Sequence, residues 1–561
     1  MKKHDIESET PSKKISGNPI EIIEQRKAKE LVIGFCGAVG CGIHNVHDSV
    51  KATFEKPYGY ECVPILLSDV IQKIKGEISY SDEFERITKL QDAGNDLRKT
   101  RTTGLVEFAI AKIRSVKGVH KDPDGGENKP ASPNERRIFL VDQLKHPDEV
   151  SLLKKIYGSS FYLFGVLSTQ DDRVNRLKKS GMTDDQAHIL IQRDEKEKLP
   201  HGQKVRDTIQ HSDFFVRHSS HRNQECLASI QRFISLMLGE PIITPTPNEY
   251  AMYEAYSASL RSSCLSRQVG ASIVNDNNHL ISTGYNDVPS YNGGLYGRSN
   301  DASGERCFEK EEQCCFNDCH KLNMYQSVAN DISSKVLPLY TQSKIANFLK
   351  KNSSDLMDKY EIKDLDKAQL LQHMSKMVAE KVEGDFSRDD LIEYLKKTKI
   401  KSLLEFSRSI HAEMEAILAA GRKSKSVVGG DLYCTTFPCH NCARHIIAAG
   451  ISTVYYIEPY EKSLALDLHD DAITLLEDKQ GCVKFLHFEG VAPGKYYGLF
   501  KMSSPRKKSD GSGEMIPFNH QDASPVMEKY LDSVVDYESV VVEKLREEQH
   551  EATQRVMEEA S

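Results

Sequence analysis

Short apolar runs alternate with longer polar, helix-forming stretches along the first 240 residues. Leu31-Val32-Ile33-Gly34-Phe35-Cys36 is an unbroken apolar run, the pattern of a strand covered on both faces. Val63-Pro64-Ile65-Leu66-Leu67-Ser68-Asp69 predicts a second short strand that ends in a helix-start signal. Helical periodicity covers Arg86 to Asn95, Gly104 to Val116 and Asp171 to Ser180, while Arg136 to Asp142, Phe161 to Leu167 and Asp213 to Val216 read as strands. Strands alternating with helices predict an α/β fold with a parallel sheet. Pro241 to Pro247 holds three prolines and two threonines and reads as a linker.

A second α/β pattern follows. A helix is expected from Met252 to Leu260, then strands around Val269–Val274 and Leu280–Ser282, with the turn Gly284-Tyr285-Asn286-Asp287 after them. Ile410 to Ala420 is rich in helix formers and Gly421 suits its end. Asp431 to Thr436 and Ile451 to Ile457 predict strands, and Pro438 opens a helix running through Ala449. Between the halves lies an insertion of charged amphipathic helices, about residues 295–404. Residues 1–28 read as a disordered lead, 29–240 as a first domain, 241–250 as a linker and 251–500 as a second domain. Residues 501–561 hold a Ser, Gly and Lys-rich linker (Ser503 to Gly513) and a C-terminal helix (Met527 to Met557).

Composition narrows the function classes. Lys and Arg number 75 against 82 Asp and Glu, a net charge of −7, which argues against a broad polyanion-binding surface. No apolar run approaches the length of a membrane span, and the first twenty residues lack the apolar core of a secretion signal. The thirteen cysteines are an odd count and many sit in metal-like spacings. That usage fits a reducing, cytoplasmic setting rather than a disulfide framework.

The candidate chemistry centres on His411-Ala412-Glu413 and Pro438-Cys439-His440-Asn441-Cys442. One His and two Cys thiolates are a zinc set that leaves one coordination position open. Glu413 stands two residues past the His, near the metal but free to carry protons. The H-x-E…P-C-x-x-C arrangement is the signature of zinc-dependent deaminases; a purely structural zinc site is the plainer alternative. The pattern also places His411 and the first Cys at helix N-termini, where the dipole favours anionic sulfur.

Two further constellations carry weaker signals. After the first strand, Gly37-Ala38-Val39-Gly40-Cys41-Gly42 has the glycine spacing of a phosphate-binding loop. Ile43 replaces the phosphate-binding Lys of that motif and His44 its Mg²⁺-holding hydroxyl. Phosphate binding is therefore compatible with the loop and phosphoryl transfer is disfavoured; a tight strand–helix turn without ligand is the alternative. In the insertion, Cys307, Cys314, Cys315, Cys319 and His320 fall within fourteen residues and suggest a second, structural Zn²⁺, with free thiols as the alternative.

Arg261-Ser262-Ser263, Val269-Gly270-Ala271, Gly284-Tyr285-Asn286-Asp287 and the zinc motifs together resemble the deoxycytidylate deaminase family. Residues 29–240, with the half-preserved loop, a strand ending in Asp142, and Arg173 and Arg176 on a lid-like helix, resemble a P-loop kinase. A solvated helix face is an equal account of the two arginines. The fused arrangement resembles the bacterial anti-phage dCTP deaminases over about residues 29–500. The resemblance implies an N-terminal P-loop kinase-like three-layer domain and a C-terminal cytidine deaminase-like α/β/α domain with a helical insertion.

It also implies Zn²⁺ held by His411, Cys439 and Cys442, Glu413 as the proton carrier, and Asn286 at the nucleotide sugar. Cys264 could join a second zinc, by the same resemblance. Asp287 stands where the family commonly has Gly. The implied activity is hydrolysis of dCTP to dUTP and dCMP to dUMP, which would deplete dCTP in antiviral defence. A homo-oligomer and an inhibitory small noncoding RNA are implied in the same way. The rivals are a polynucleotide cytidine deaminase, a nucleotide kinase with an accessory deaminase, and a nucleotide-sensing first domain, the last compatible with the leading reading.

Overall fold

A computed structural model describes residues 28–76, 78–117, 135–196, 202–219, 221–297, 305–311, 313–336, 388–403, 405–460, 462–502 and 504–526, with isolated positions 343, 347, 542 and 546. The expected disordered lead, most of the insertion's helices and the C-terminal helix fall outside these residues, apart from single positions.

The first sheet contains β1 (Leu31–Gly37), β2 (Glu61–Leu66), β3 (Arg137–Asp142), β4 (Phe161–Leu167) and β5 (Phe214–Arg217). These five run parallel in the order β5-β4-β1-β3-β2. Every residue of β1 is buried, because helices cover both faces. Leu31, Ile33 and Phe35 enter one core layer while Val32 and Cys36 enter the other, as the two-residue period of a strand requires. Phe164, Phe214 and Phe233 fill the first layer, with the rings of Phe214 and Phe233 stacked at 4.2 Å.

The helices that matter here are α1 (Ile43–Glu55), α2 (Glu83–Thr100), α3 (Gln170–Lys179), α4 (Asp184–Lys196), α5 (Asn223–Met237), α6 (Pro247–Ser259), α7 (Phe316–Asp331), α8 (Ala412–Arg422) and α9 (His440–Ala448). The expected linker at Pro241 to Pro247 is shorter than its prolines suggest. α6 starts at Pro247, with Thr246 and Glu249 forming a capping box and Pro247 in the first turn. Proline there costs no hydrogen bond and presets the helical φ.

The second sheet holds β6 (Gly270–Val274), β7 (Leu280–Tyr285), β8 (Asp431–Thr436), β9 (Thr453–Glu458), β10 (Ile473–Thr474) and β11 (Val483–His487). Its order is β10-β11-β9-β8-β6-β7, antiparallel at β7-β6-β8 and parallel from β8 to β10. Both parts are therefore mixed α/β, each built on its own sheet.

The chain then returns to the first sheet. β12 (Gly490–Val491) pairs antiparallel with β5. At this junction Glu249 is almost fully buried. It accepts from Arg232 at 3.0 and 2.8 Å and from the Val491 backbone N–H at 2.9 Å. Phe215, Met252, Tyr433, Ile457 and Phe488 form one apolar cluster across it. The stretch past Ser503 also does more than link: the Gln521 amide donates to the Pro57 carbonyl at 3.0 Å, and Ala523 is buried in the first core.

Candidate active site and metal centre

Two helix N-termini meet against the second sheet. His411 is the N-cap of α8 and Cys439 the N-cap of α9. The helix expected from Ile410 thus begins one residue after His411 and runs past Gly421 to Arg422. His411 Nδ1 lies 3.2 Å from Cys439 Sγ and 3.3 Å from Cys442 Sγ. All three ligand atoms lie within 4.8 Å of one another, and they are the group of three of this kind among the described residues.

The electrostatics suit a cation. A hydrogen bond from Cys442 and the neighbouring His411 hold the Cys439 thiol down at about 4, against the effect of burial. Burial opposes charge on His411, but the hydrogen bond to Cys439 and the negative charge there carry it up to about 9. Cys442 is pushed up by burial. The donor set, one imidazole and two sulfurs converging with a cavity on the remaining side, fits zinc with one open position.

Glu413 occupies the first turn of α8, is 4% exposed and lines the cavity. Burial, then the charge of Cys439, raise its carboxyl above the usual range. The cavity measures about 560 Å³. Phe437 and Tyr460 supply flat walls, and Arg267, Arg408 and Lys462 bring positive charge to its lining.

Asn286 also lines this cavity, and its amide makes two bonds to the chain. Oδ1 accepts from the Val269 N–H at 2.7 Å and Nδ2 donates to the Arg267 carbonyl at 2.8 Å. It shapes the loop that carries Arg267. Asp287, its neighbour, is 1% exposed. It accepts from the Ser263 backbone and hydroxyl at 3.1 and 3.0 Å and pairs with Arg306. Its own carbonyl accepts from the Ile410 N–H at 3.0 Å, which fixes the residue before His411. Gly284 permits this approach: a side-chain carbon there would come within 3.0 Å of Ala416 Cα and closer to the α8 backbone. Sequence reasoning gave Arg306 no role, because it lies in the insertion and no motif links it to Asp287, 19 positions earlier.

The six residues expected at a second zinc fall into separate sets among the described residues. Cys314 and Cys319 are bonded to each other. His320 packs against the rings of Phe316 and Phe406 at 6.5 and 5.8 Å. Cys264, Cys307 and Cys315 line the wall of the active-site cavity, with Cys315 Sγ 3.1 Å from the Ser266 hydroxyl. At the start of α7, Cys314 and Cys319 meet each other while His320 turns to the two aromatic rings.

In the first half, Gly37, Ala38, Val39, Gly40, Cys41 and Gly42 form a turn between β1 and α1 and line a second cavity. Gly40 and Gly42 take φ of 76° and 83°, a region costly for side-chain-bearing residues. Arg173 and Arg176 are not a solvated face: their guanidiniums donate to the Val39 and Gly40 carbonyls, each at 2.9 Å.

Residues 245–458 match the model of the cytidine and deoxycytidylate deaminase zinc-binding region. This part of the chain is similar to that zinc-binding region, and zinc is the cofactor that its His411–Cys439–Cys442 group would hold. The chain is 47% identical over 55 residues to ComE operon protein 2 of Bacillus subtilis, covering 10% of this chain and 29% of that protein. It is 44% identical over 54 residues to the deoxycytidylate deaminase of Enterobacteria phage T4, covering 10% of this chain and 28% of the relative. The chain thus spans under a third of the length of these relatives.

Among solved structures, the dCMP deaminase of cyanophage S-TIM5 aligns with 44% of this chain and 99% of its own at 16% identity and a TM-score of 0.20. The shikimate kinase of Bacteroides thetaiotaomicron aligns with 36% of this chain and 98% of its own at 10% identity and a TM-score of 0.22. Among the described residues no helix is long and apolar enough to cross a membrane.

Proposed function

We propose that the chain is a zinc-dependent hydrolytic deaminase of deoxycytidine nucleotides, converting dCMP to dUMP and dCTP to dUTP with release of ammonia. The observation that carries this is Glu413, buried beside the His411–Cys439–Cys442 group on the wall of a cavity lined by arginine and lysine. Zinc held by that group supplies the Lewis acidity that makes a water nucleophilic near neutral pH.

The protein's own groups do the rest. Phe437 and Tyr460 offer faces for a planar base. Arg267, Arg408 and Lys462 offer charge to phosphates; three cations are compatible with a triphosphate as well as a monophosphate. Glu413 takes a proton from the attacking water and returns protons to ring N3 and to the departing amine. The C4–O bond forms, the C4–N bond breaks, and a uracil nucleotide leaves. Asn286 holds the Arg267 loop with one of its N–H groups and keeps a second N–H for the nucleotide sugar.

On the resemblance of the fused arrangement, we assign the division into a kinase-like and a deaminase domain and a role in draining dCTP during phage infection. Restraint by a small noncoding RNA, assembly as a homo-oligomer and a cytoplasmic location rest on the same resemblance.

Purified protein is mixed with dCMP, dCDP, dCTP, CTP and a cytosine-containing oligonucleotide, and uracil products are followed by chromatography. Turnover of dCMP or dCTP is expected, with loss of at least 10²–10⁴-fold in Glu413→Ala while bound zinc is retained. Chelation should abolish turnover and zinc should restore it. Turnover of the oligonucleotide alone would refute the nucleotide-pool reading.

A further inference from the structure

The described start of the insertion, residues 305–311, lies against the active-site cavity. It is a turn closed on itself. The Glu309 and Lys310 N–H groups donate to the Arg306 carbonyl at 2.9 and 3.2 Å, and the Arg306 N–H donates to the Glu309 carboxylate at 3.1 Å. Its side chains are therefore placed together. Glu305 meets Arg408, Arg306 meets Asp287, and Cys307 lines the cavity.

Arg408 is the cavity's cation closest in sequence to His411. Its guanidinium donates to the Glu305 carbonyl at 3.1 Å and lies 3.8 Å from the Glu305 carboxylate. It also sits 5.3 Å from the centre of the Phe316 ring, at the start of α7. The insertion thus seats the charged end of Arg408. The chain beyond Arg408 is held elsewhere, by the Ile410 N–H donating to the Asp287 carbonyl at 3.0 Å. An arginine already seated loses less rotamer freedom on meeting an anion, so it binds the anion more tightly.

Both supports lead back to Asp287. Its carbonyl fixes Ile410 and its carboxylate fixes Arg306. Arg306 is 8% exposed and also donates to the Arg261 carbonyl at 3.2 Å. A planar fork can serve a carboxylate and a carbonyl together, whereas an ammonium is a single point of charge. Asp287 has other anchors: the Ser263 N–H and hydroxyl at 3.1 and 3.0 Å and the Val288 N–H at 2.8 Å. Asp287 is the fixed post, and the turn hangs from it through Arg306.

We propose that Arg306 is a positioning residue for phosphate recognition: it locks the turn onto Asp287 and so holds Arg408 where the nucleotide's phosphates arrive. The start of the insertion is then a working wall of the substrate site. Arg306 stands behind that wall and not in it. The proposal rests on the reading of this cavity as a nucleotide site.

The test is equilibrium binding of radiolabelled dUMP and deoxyuridine to the full-length, zinc-loaded protein, with dCMP kinetics beside it. The two ligands differ only by the phosphate, and neither has an amine to lose. Wild type should prefer dUMP. Arg306→Met should cut that preference roughly tenfold, as loss of a charge-assisted contact does. It should raise the KM of dCMP by a similar factor with kcat little changed, the mark of lost uniform binding. Arg408→Gln should cut the preference too, and the double variant should be no worse than Arg408→Gln alone, because Arg306 acts through Arg408. Arg306→Lys keeps the charge beside Asp287 but not the bond to Arg261. It should fall between wild type and Arg408→Gln, and it carries the test if Arg306→Met does not fold. A pair that serves stability alone would lower the melting temperature and leave the dUMP preference as in wild type, which would overturn the proposal. So would losses that add in the double variant, or a wild type that binds dUMP no better than deoxyuridine. Binding needs no turnover. A wild type that binds dUMP but releases no ammonia from dCMP would overturn the deaminase reading, and the affinities would still decide this proposal.

Discussion

Gly284→Ala tests how tightly α8 must sit on the second sheet for the site to work. Gly284 lies on β7 under the first turns of α8. A methyl group there would stand 3.0 Å from Ala416 Cα and closer to the Ala412 carbonyl oxygen and the Ala416 nitrogen. Carbon atoms settle at about 3.5–4.0 Å, so helix and strand must part by roughly 1 Å. All the obstructing atoms are backbone, so no side chain can rotate away. Overpacking of this kind costs about 1–3 kcal/mol.

The same shift moves His411 and Glu413, which begin α8. A misplacement of about 1 Å at reacting groups lowers turnover on the order of 100-fold. The assay is dCMP and dCTP turnover with zinc content and melting temperature measured in parallel. Gly421→Ala is the control, because it lies on the same helix with nothing within 4 Å of the added carbon. That change should leave turnover intact and hold or raise stability by about 0.5–1 kcal/mol. Wild-type turnover and melting in Gly284→Ala, or equal damage from Gly421→Ala, would refute the reasoning.

Two further outcomes are expected. Asp287→Ala strands the buried Arg306 and should cost about 3–5 kcal/mol in denaturant unfolding; Asp287→Ala with Arg306→Met should recover much of it, and a single-variant cost under about 1 kcal/mol would contradict the burial argument. Burial holds His487 down at about 4 from an ordinary 6.5; the unfolded chain gains that proton first, so the stability it contributes is complete above about pH 6.5 and is lost as pH falls toward 4. His487→Phe, set between the rings of Phe215 and Tyr456, should flatten the fall in stability between pH 7 and 5, and an unchanged slope would exclude His487 as its source.

Local chemistry carried much of this protein in plain view. Full burial of β1 follows from an unbroken apolar run, and the zinc ligands from His411-x-Glu413 and Cys439-x-x-Cys442, because neighbours a few residues apart on a helix start have few ways to point. The capping box at Thr246 and Glu249 was not read, because the prolines around it masked the start of α6.

Contacts between distant residues could not be read this way. Four cysteines and a His share a short span, but spacing alone did not say that Cys314 would meet Cys319 or that His320 would meet Phe316 and Phe406. That the Asn286 amide also bonds the Val269 and Arg267 backbone was not legible in the turn that carries it. Asp194 reaches Val39 across 155 positions of chain. Spacing along the chain fixes which groups share a turn of helix or a face of a strand. Which buried donor meets which acceptor depends on how helices and sheets dock, a property of packing over long separations that no local pattern encodes.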